Sequence, residues 1–359
     1  MPDLIKKKER KNTTRIESLD WLRGLMAISI MAYHLRSWYF SGSNDNLLGK
    51  LGIYGVSIFF ILSGLSIAIA YSNNIDSIRK SVHFFIRRIF RIWPLLWVCI
   101  ILAIIYMIIT GTYNLSIRTI IENFTTLFGF IRPEAYINTG AWSIGNEMVY
   151  YSLTPIIIYL YNRKLLIGNL FFILTIGISL YFSTYLLDST VTLAQQWEIY
   201  INPFNNLSLY VAGIAIYYNL KNMSILPVVN IGLLLTTLLF FIFYSISGDQ
   251  ISLVTGINRI LFVIASIILV IVFYKFSLNK YVPKAISYLL EQLGIATYGV
   301  YLLHPIVNSY LGSVLRKMGL FSPILQVVLT FIFTILAALL SYNFYEKKMM
   351  KLGKKLTLS

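Results

Sequence analysis

Arg23 and His34 stand eleven residues apart in LDWLRGLMAISIMAYHLRSWYF (19–40), where nearly every other residue is apolar. At 100° per residue that spacing is three helical turns plus about 20°, so both side chains share one stripe of a helix, roughly 16 Å apart along its axis. Asp20, three residues before Arg23, is within reach of it as an ion pair. Arg23 either snorkels to an interface beside Asp20 or faces a ligand. His34 lies deeper, where an ionisable side chain faces a bundle interior or a cavity and becomes a functional candidate. Desolvation there favours the neutral imidazole, the state that accepts a proton or attacks a carbonyl carbon, so the chemistry it suits is acyl transfer. A histidine satisfied within the core is the plain alternative.

Three further clusters could serve such chemistry. In HFFIRRIFRIWP (83–94), Arg88 and Arg91 are spaced i, i+3 and Arg87 and Arg91 i, i+4, which makes one basic ridge; Pro94 is expected in the first turn of the span that follows. The ridge either clamps phosphates or anchors anionic lipid headgroups. In WSIGNEMVYY (142–151), Glu147 should lie about 7 Å below the boundary from which His34 lies about 10 Å. That makes it the carboxylate expected to orient His34 or take a proton from an acceptor, unless it is a solvated group near a helix N-terminus. In FFILSGLS (59–66), Ser63 and Gly64 either let two helices approach or leave room for a narrow ligand. His304, in YGVYLLHP (298–305), is expected near the entry of an acceptor or as an interfacial residue, and His83 has no assigned role.

The elements that must position these residues are membrane helices. The 359-residue chain is 57% hydrophobic and 12% charged, with a mean hydropathy of +0.73, about half the charge of a soluble domain. Apolar stretches of about 20 residues predict an all-α polytopic protein with ten spans, at 21–41, 50–72, 92–110, 142–161, 165–187, 204–220, 225–246, 258–276, 286–307 and 322–345. The net charge of +16 comes from short clusters between spans rather than one polar face, which argues against nucleic acid. With these spans 22 of the 30 Lys and Arg fall on one side and 7 on the other, predicting both termini in the cytoplasm. The division is a basic tail (1–20), a transmembrane domain (21–345) and a second basic tail (346–359). KKKERKNTTR (6–15) precedes a full-length apolar stretch without a small-residue cleavage site, so it is expected to be retained. Residues 111–141 form the longest outer loop, where SIRTIIENFTTLFGFI is expected as an amphipathic or re-entrant segment. The single cysteine and three histidines offer no metal site, and the 26 Tyr and 6 Trp are expected mainly at interfaces.

Taken in order, RGLMAISIMAYH, FFIRRIFRIWP, WSIGNEMVYY and YGVYLLHP resemble the acyltransferase-3 family of bacterial membrane acyltransferases, from Asp20 to Glu346. The resemblance implies modification of surface polysaccharides or other extracytoplasmic acceptors. It implies that His34 is catalytic with Arg23 beside it, and that Arg88 and Arg91 serve acyl-CoA. Thr297 stands where members often have Ser, and EKK where they often have Glu-Arg-Pro.

The resulting expectation is an O-acyltransferase of the bacterial cytoplasmic membrane, with acyl-CoA as co-substrate and no resident cofactor. Arg23, Arg87, Arg88, Arg91, Ser63 and Gly64 would hold the donor, His34 and Glu147 would act on it, and Trp142 and His304 would face a surface or lipid-linked glycan. Membrane lipids are the other partner. The alternative is a transporter or glycan-export protein with His34 and Glu147 on a proton or substrate path.

Overall fold

The structure, a computed structural model, describes residues 16–40, 45–276 and 281–357, which are helical with short connections. The basic run 6–15 of the first tail and residues 358–359 lie outside the described residues. The main helices are α1 (Glu17–Tyr39), α2 (Leu47–Tyr71), α3 (Ile78–Ile109), α4 (Ile117–Phe124), α5 (Ala141–Arg163), α6 (Leu165–Tyr181), α7 (Pro203–Leu220), α8 (Pro227–Phe243), α9 (Gly256–Lys275), α10 (Lys284–Lys317), α11 (Pro323–Ser341) and α12 (Lys347–Leu356). Among the described residues five helical stretches are long and apolar enough to cross a bilayer: α2, α3, α6 with the π-turn after it, α9, and the run Pro323–Leu356. The polar helices α1, α5 and α10 carry most of the candidate residues.

Neighbouring helices run in the order α11, α10, α1, α2, α7, α6, with α5 against α6 and α7. In hydrocarbon the apolar effect does not hold helices together, so close crossings and buried polar bonds must. At the α2–α7 crossing a Cβ on Gly64 would stand 1.9 Å from the Tyr210 carbonyl oxygen, and one on Gly213 2.0 Å from that of Ile61. At the α1–α10 crossing a Cβ on Gly294 would stand 2.3 Å from the Asp20 carbonyl oxygen. Side chains bond backbone across the bundle: Tyr54 OH donates to Leu253 O (2.6 Å), Tyr150 OH to Pro203 O (2.8 Å) and Asn138 Nδ2 to Leu302 O (2.9 Å).

Two boundaries differ from the expected ones. The third helix begins at Ile78, capped by Ser77, so the basic ridge and the apolar span are one helix and Pro94 lies inside it rather than in its first turn. A ring there removes one i→i−4 bond, which a long, packed helix tolerates. The C-terminal basic residues also do not form a free tail. After a π-turn at Tyr342–Glu346 they build α12, which lies along α3 with Gly353 against the Phe90 ring.

The loop between α3 and α5 contains α4 and a short helical turn, Phe128–Ile131. Glu122 clasps it, accepting from Arg118 Nε at 2.7 Å and from Arg132 Nη2 at 2.6 Å. Ile117 and Ile121 point outward while Glu122 and Asn123 are buried, an amphipathic arrangement with its apolar face away from the protein.

Candidate active site

Two cavities lie along α1. The larger, about 550 Å³, is lined by Asp20 and Arg23 of α1, Ser63 and Ser66 of α2, Arg88 and Arg91 of α3, Glu147 and Tyr151 of α5, and Tyr298 and Tyr301 of α10. Arg23 donates to Asp20 Oδ1 at 2.6 Å and to Ser66 Oγ, and Leu62 O is 3.4 Å away. Arg88 donates to Tyr71 OH at 3.1 Å, with its guanidinium over the rings of Tyr71, Phe84 and Tyr151. Its Nε has no hydrogen-bond partner among the described residues. Arg91 touches Met350 Sδ at 3.6 Å. Among the described residues the ion pairs join other arginines and lysines to carboxylates, and none involves Arg88 or Arg91.

The smaller cavity, about 240 Å³, is lined by Tyr33, His34 and Trp38 of α1, Tyr136 and Thr139 before α5, Trp142, Trp197, Tyr200, Gln250 and Tyr301. Its rings brace one another: Trp142 meets Trp197 edge-on at 5.7 Å, and Trp197 Nε1 donates to Tyr136 OH at 2.9 Å. Val56 and Tyr301 line both cavities, so the two adjoin there. Tyr301 is held by Gly140 O and by Ser143 Oγ, each at 2.9 Å.

His34 Nδ1 lies 2.8 Å from Nε2 of His304, and the two rings stack at 5.1 Å. The Trp38 ring lies near-parallel to both, 5.5 Å from His34 and 6.1 Å from His304. His304 is fully buried, with its Nδ1 3.1 Å from Val300 O.

The expected residues therefore divide. Arg23, Ser63, Arg88, Arg91 and Glu147 come together in the larger cavity, and His34 and Trp142 in the smaller. Arg87 does not line the larger cavity: it bonds Thr357 Oγ1 at 2.7 Å and lies near the Tyr71 hydroxyl that Arg88 bonds. Gly64 serves the α2–α7 crossing and lines neither cavity. Glu147 was expected to orient or charge-stabilise His34 or to take a proton from the acceptor; it does not bond His34 but accepts from Ser63 and Tyr151, and the group bonded to His34 is His304. His304 is thus a partner of His34 behind the cavity rather than part of its lining. Apart from Trp142, the aromatic wall went unread because Tyr and Trp are common at membrane interfaces; of the rest, only Tyr33 and Trp38, one and four residues from His34, carried a local signal.

Residues 16–343 match the family model of an acyltransferase domain. The chain is 26% identical over 379 aligned residues to the peptidoglycan O-acetyltransferase OatA of Listeria monocytogenes, an alignment covering 96% of this chain and 58% of that protein. It is 23% identical to a putative O-acetyltransferase of Staphylococcus aureus, over 82% of this chain and 41% of the relative. It is 25% identical to a putative acetyltransferase of Acidianus two-tailed virus, over 88% and 91%. The chain thus spans little more than half of the Listeria protein and less than half of the staphylococcal one. No solved structure matches it.

Proposed function

The chain belongs to the acyltransferase-3 family of membrane proteins, and from that premise we propose that it is an acyl-CoA-dependent O-acyltransferase. An acyl group, acetyl in the first instance, passes from cytoplasmic acyl-CoA to a hydroxyl of an extracytoplasmic glycan, free or lipid-linked. The names of the Listeria and staphylococcal relatives support acetyl transfer to oxygen. The proposed topology is ten helices through the bacterial cytoplasmic membrane, with 21–345 as the catalytic domain and the tails 1–20 and 346–359 in the cytoplasm.

The observation that carries this reading is the meeting, at Val56 and Tyr301, of a cavity lined by guanidiniums and a cavity that bears a histidine. Arg88 and Arg91 form no ion pair among the described residues and so have donors to offer the phosphates of coenzyme A. The pantetheine arm would run past Arg23, Ser63 and Glu147 toward His34. Trp142, Trp197 and Tyr200 would offer ring faces to the acceptor sugar.

Two routes use the Nε2 of His34. It attacks the thioester carbonyl, giving an acyl-imidazolium and releasing coenzyme A as thiolate; the sugar hydroxyl oxygen then takes the acyl group, the freed Nε2 takes the hydroxyl proton, and the ring passes it to the thiolate. Alternatively Nε2 takes the proton of the sugar hydroxyl as that oxygen attacks the thioester, then yields it to the departing thiolate.

The test is transfer of radiolabelled acetyl from acetyl-CoA to surface glycan in membranes carrying wild type or His34→Ala at matched expression. Labelling by wild type alone supports the reading. Equal labelling by the variant removes His34 from the mechanism, and no labelling by either excludes this donor and acceptor pair.

A further inference from the structure

His34 carries out either route only if Nε2 presents a lone pair, and the structure contains a device that decides this. A neutral imidazole has one N–H and one acceptor nitrogen, and the hydrogen bond made by one nitrogen sets the state of the other. The bonding can be followed inward from the backbone. Val300 O has only lone pairs to offer, so His304 Nδ1, 3.1 Å away, must bring the hydrogen. The Tyr301 backbone is a second partner of this ring. Its carbonyl is free to be one because Pro305, four residues on, has no N–H to give it.

With its hydrogen on Nδ1, neutral His304 has an acceptor at Nε2. That nitrogen is 2.8 Å from His34 Nδ1, which must then be the donor. An imidazolium at His304 would reverse the polarity, but the ring is fully buried and no carboxylate is bonded to it among the described residues, so the charge would be costly. The hydrogen of His34 is thus spent on His304, and its Nε2 carries the lone pair. The bond to His304 and the near-parallel Trp38 ring 5.5 Å away hold the ring's orientation.

We propose that His304 is a positioning residue for acyl transfer: anchored by the carbonyls that precede Pro305, it holds His34 in the Nδ1–H tautomer with Nε2 free to react. The proposal rests on the reading of His34 as the acyl-transfer residue. It differs from the acceptor-side role expected of His304.

The experiment is side-chain nitrogen-15 NMR of the full chain, labelled at histidine and reconstituted in nanodiscs, together with acetyl-transfer kinetics. The sequence has three histidines, so His83→Gln leaves only the two rings in question. In wild type both rings should be Nδ1–H tautomers. In His304→Leu, His34 should shift to the Nε2–H form, and kcat should fall about 10²-fold with the acetyl-CoA KM within about 2-fold. His304→Gln should restore the Nδ1–H form and most of kcat, because its amide oxygen accepts from His34 and its NH₂ donates to the backbone.

An Nε2–H tautomer of His34 in wild type, or an unchanged Nδ1–H form in folded His304→Leu, would overturn the proposal. If the leucine variant does not fold, wild type and His304→Gln decide by the same signature. A wild type that shows the expected tautomers yet transfers no acetyl would fail the enzymatic reading and leave the tautomer relay standing.

Discussion

His34 on α1 and His304 on α10 are 270 residues apart in sequence and share a hydrogen bond of 2.8 Å. The Gly294 crossing, where a Cβ would stand 2.3 Å from the Asp20 carbonyl oxygen, draws the same two helices together. The reactive ring is therefore fixed by a neighbour that its own helix does not contain, and substitutions at the crossing should disturb it.

Gly294→Ala should lower the acetyl-transfer rate as well as stability. The added methyl must push α10 off α1, and overpacking of this kind costs about 1–3 kcal/mol. Thermal unfolding in detergent and acetyl transfer at a temperature where the variant is folded would check both. A variant with wild-type rate and melting temperature would show that the helices yield freely there.

Arg88→Ala and Arg91→Ala should each raise the acetyl-CoA KM roughly 10-fold or more, since a charge-assisted hydrogen bond is worth about 1.5–3 kcal/mol. Arg87→Ala should leave KM within about 2-fold, because Arg87 does not line the cavity and its Nε is taken by Thr357. Steady-state kinetics of the three variants separates a phosphate clamp from a general basic patch, which would weaken equally with any of them.

Glu147→Leu should destabilise the protein, because the hydroxyls of Ser63 and Tyr151 lose their common acceptor. An orphaned buried hydroxyl costs about 1–3 kcal/mol. Glu147→Gln keeps an acceptor oxygen and should recover most of that stability, as measured by thermal unfolding.

The loop between α3 and α5 should loosen in acid. The Arg132 guanidinium first, and Arg118 with it, hold the Glu122 carboxyl below the usual carboxylate range. A depressed folded-state pKa contributes stability at pH above the unfolded value, and that contribution disappears as pH falls through the folded one. Limited proteolysis of residues 111–141 should therefore accelerate at low pH in wild type. In Glu122→Gln it should already be fast at neutral pH and change little on acidification.

The sequence by itself determined the helices and the residue types at the site. Runs of apolar residues long enough to cross a bilayer imply helices, because a backbone in hydrocarbon must bond to itself; each expected span overlaps a helix, and five helical stretches among the described residues are long and apolar enough to cross. Local period also decided that Arg23 and His34 would share α1, and that Arg88 and Arg91 would share a face of α3.

What the tertiary structure decided was which faces meet. Nothing near position 34 marks His304 as its partner, and matched depth in the bilayer selected Glu147 instead, because depth is a coordinate along one helix and says nothing of the angle at which another crosses. Gly64, Gly213 and Gly294 set those crossings through contacts between segments distant in sequence. The same crossings turned Arg87 toward α12, gathered scattered tyrosines and tryptophans around His34, and left Val56 and Tyr301 where the two cavities adjoin. Helical period is a local property that a sequence carries residue by residue, whereas the placement of one helix against another is fixed only when all their surfaces are packed together.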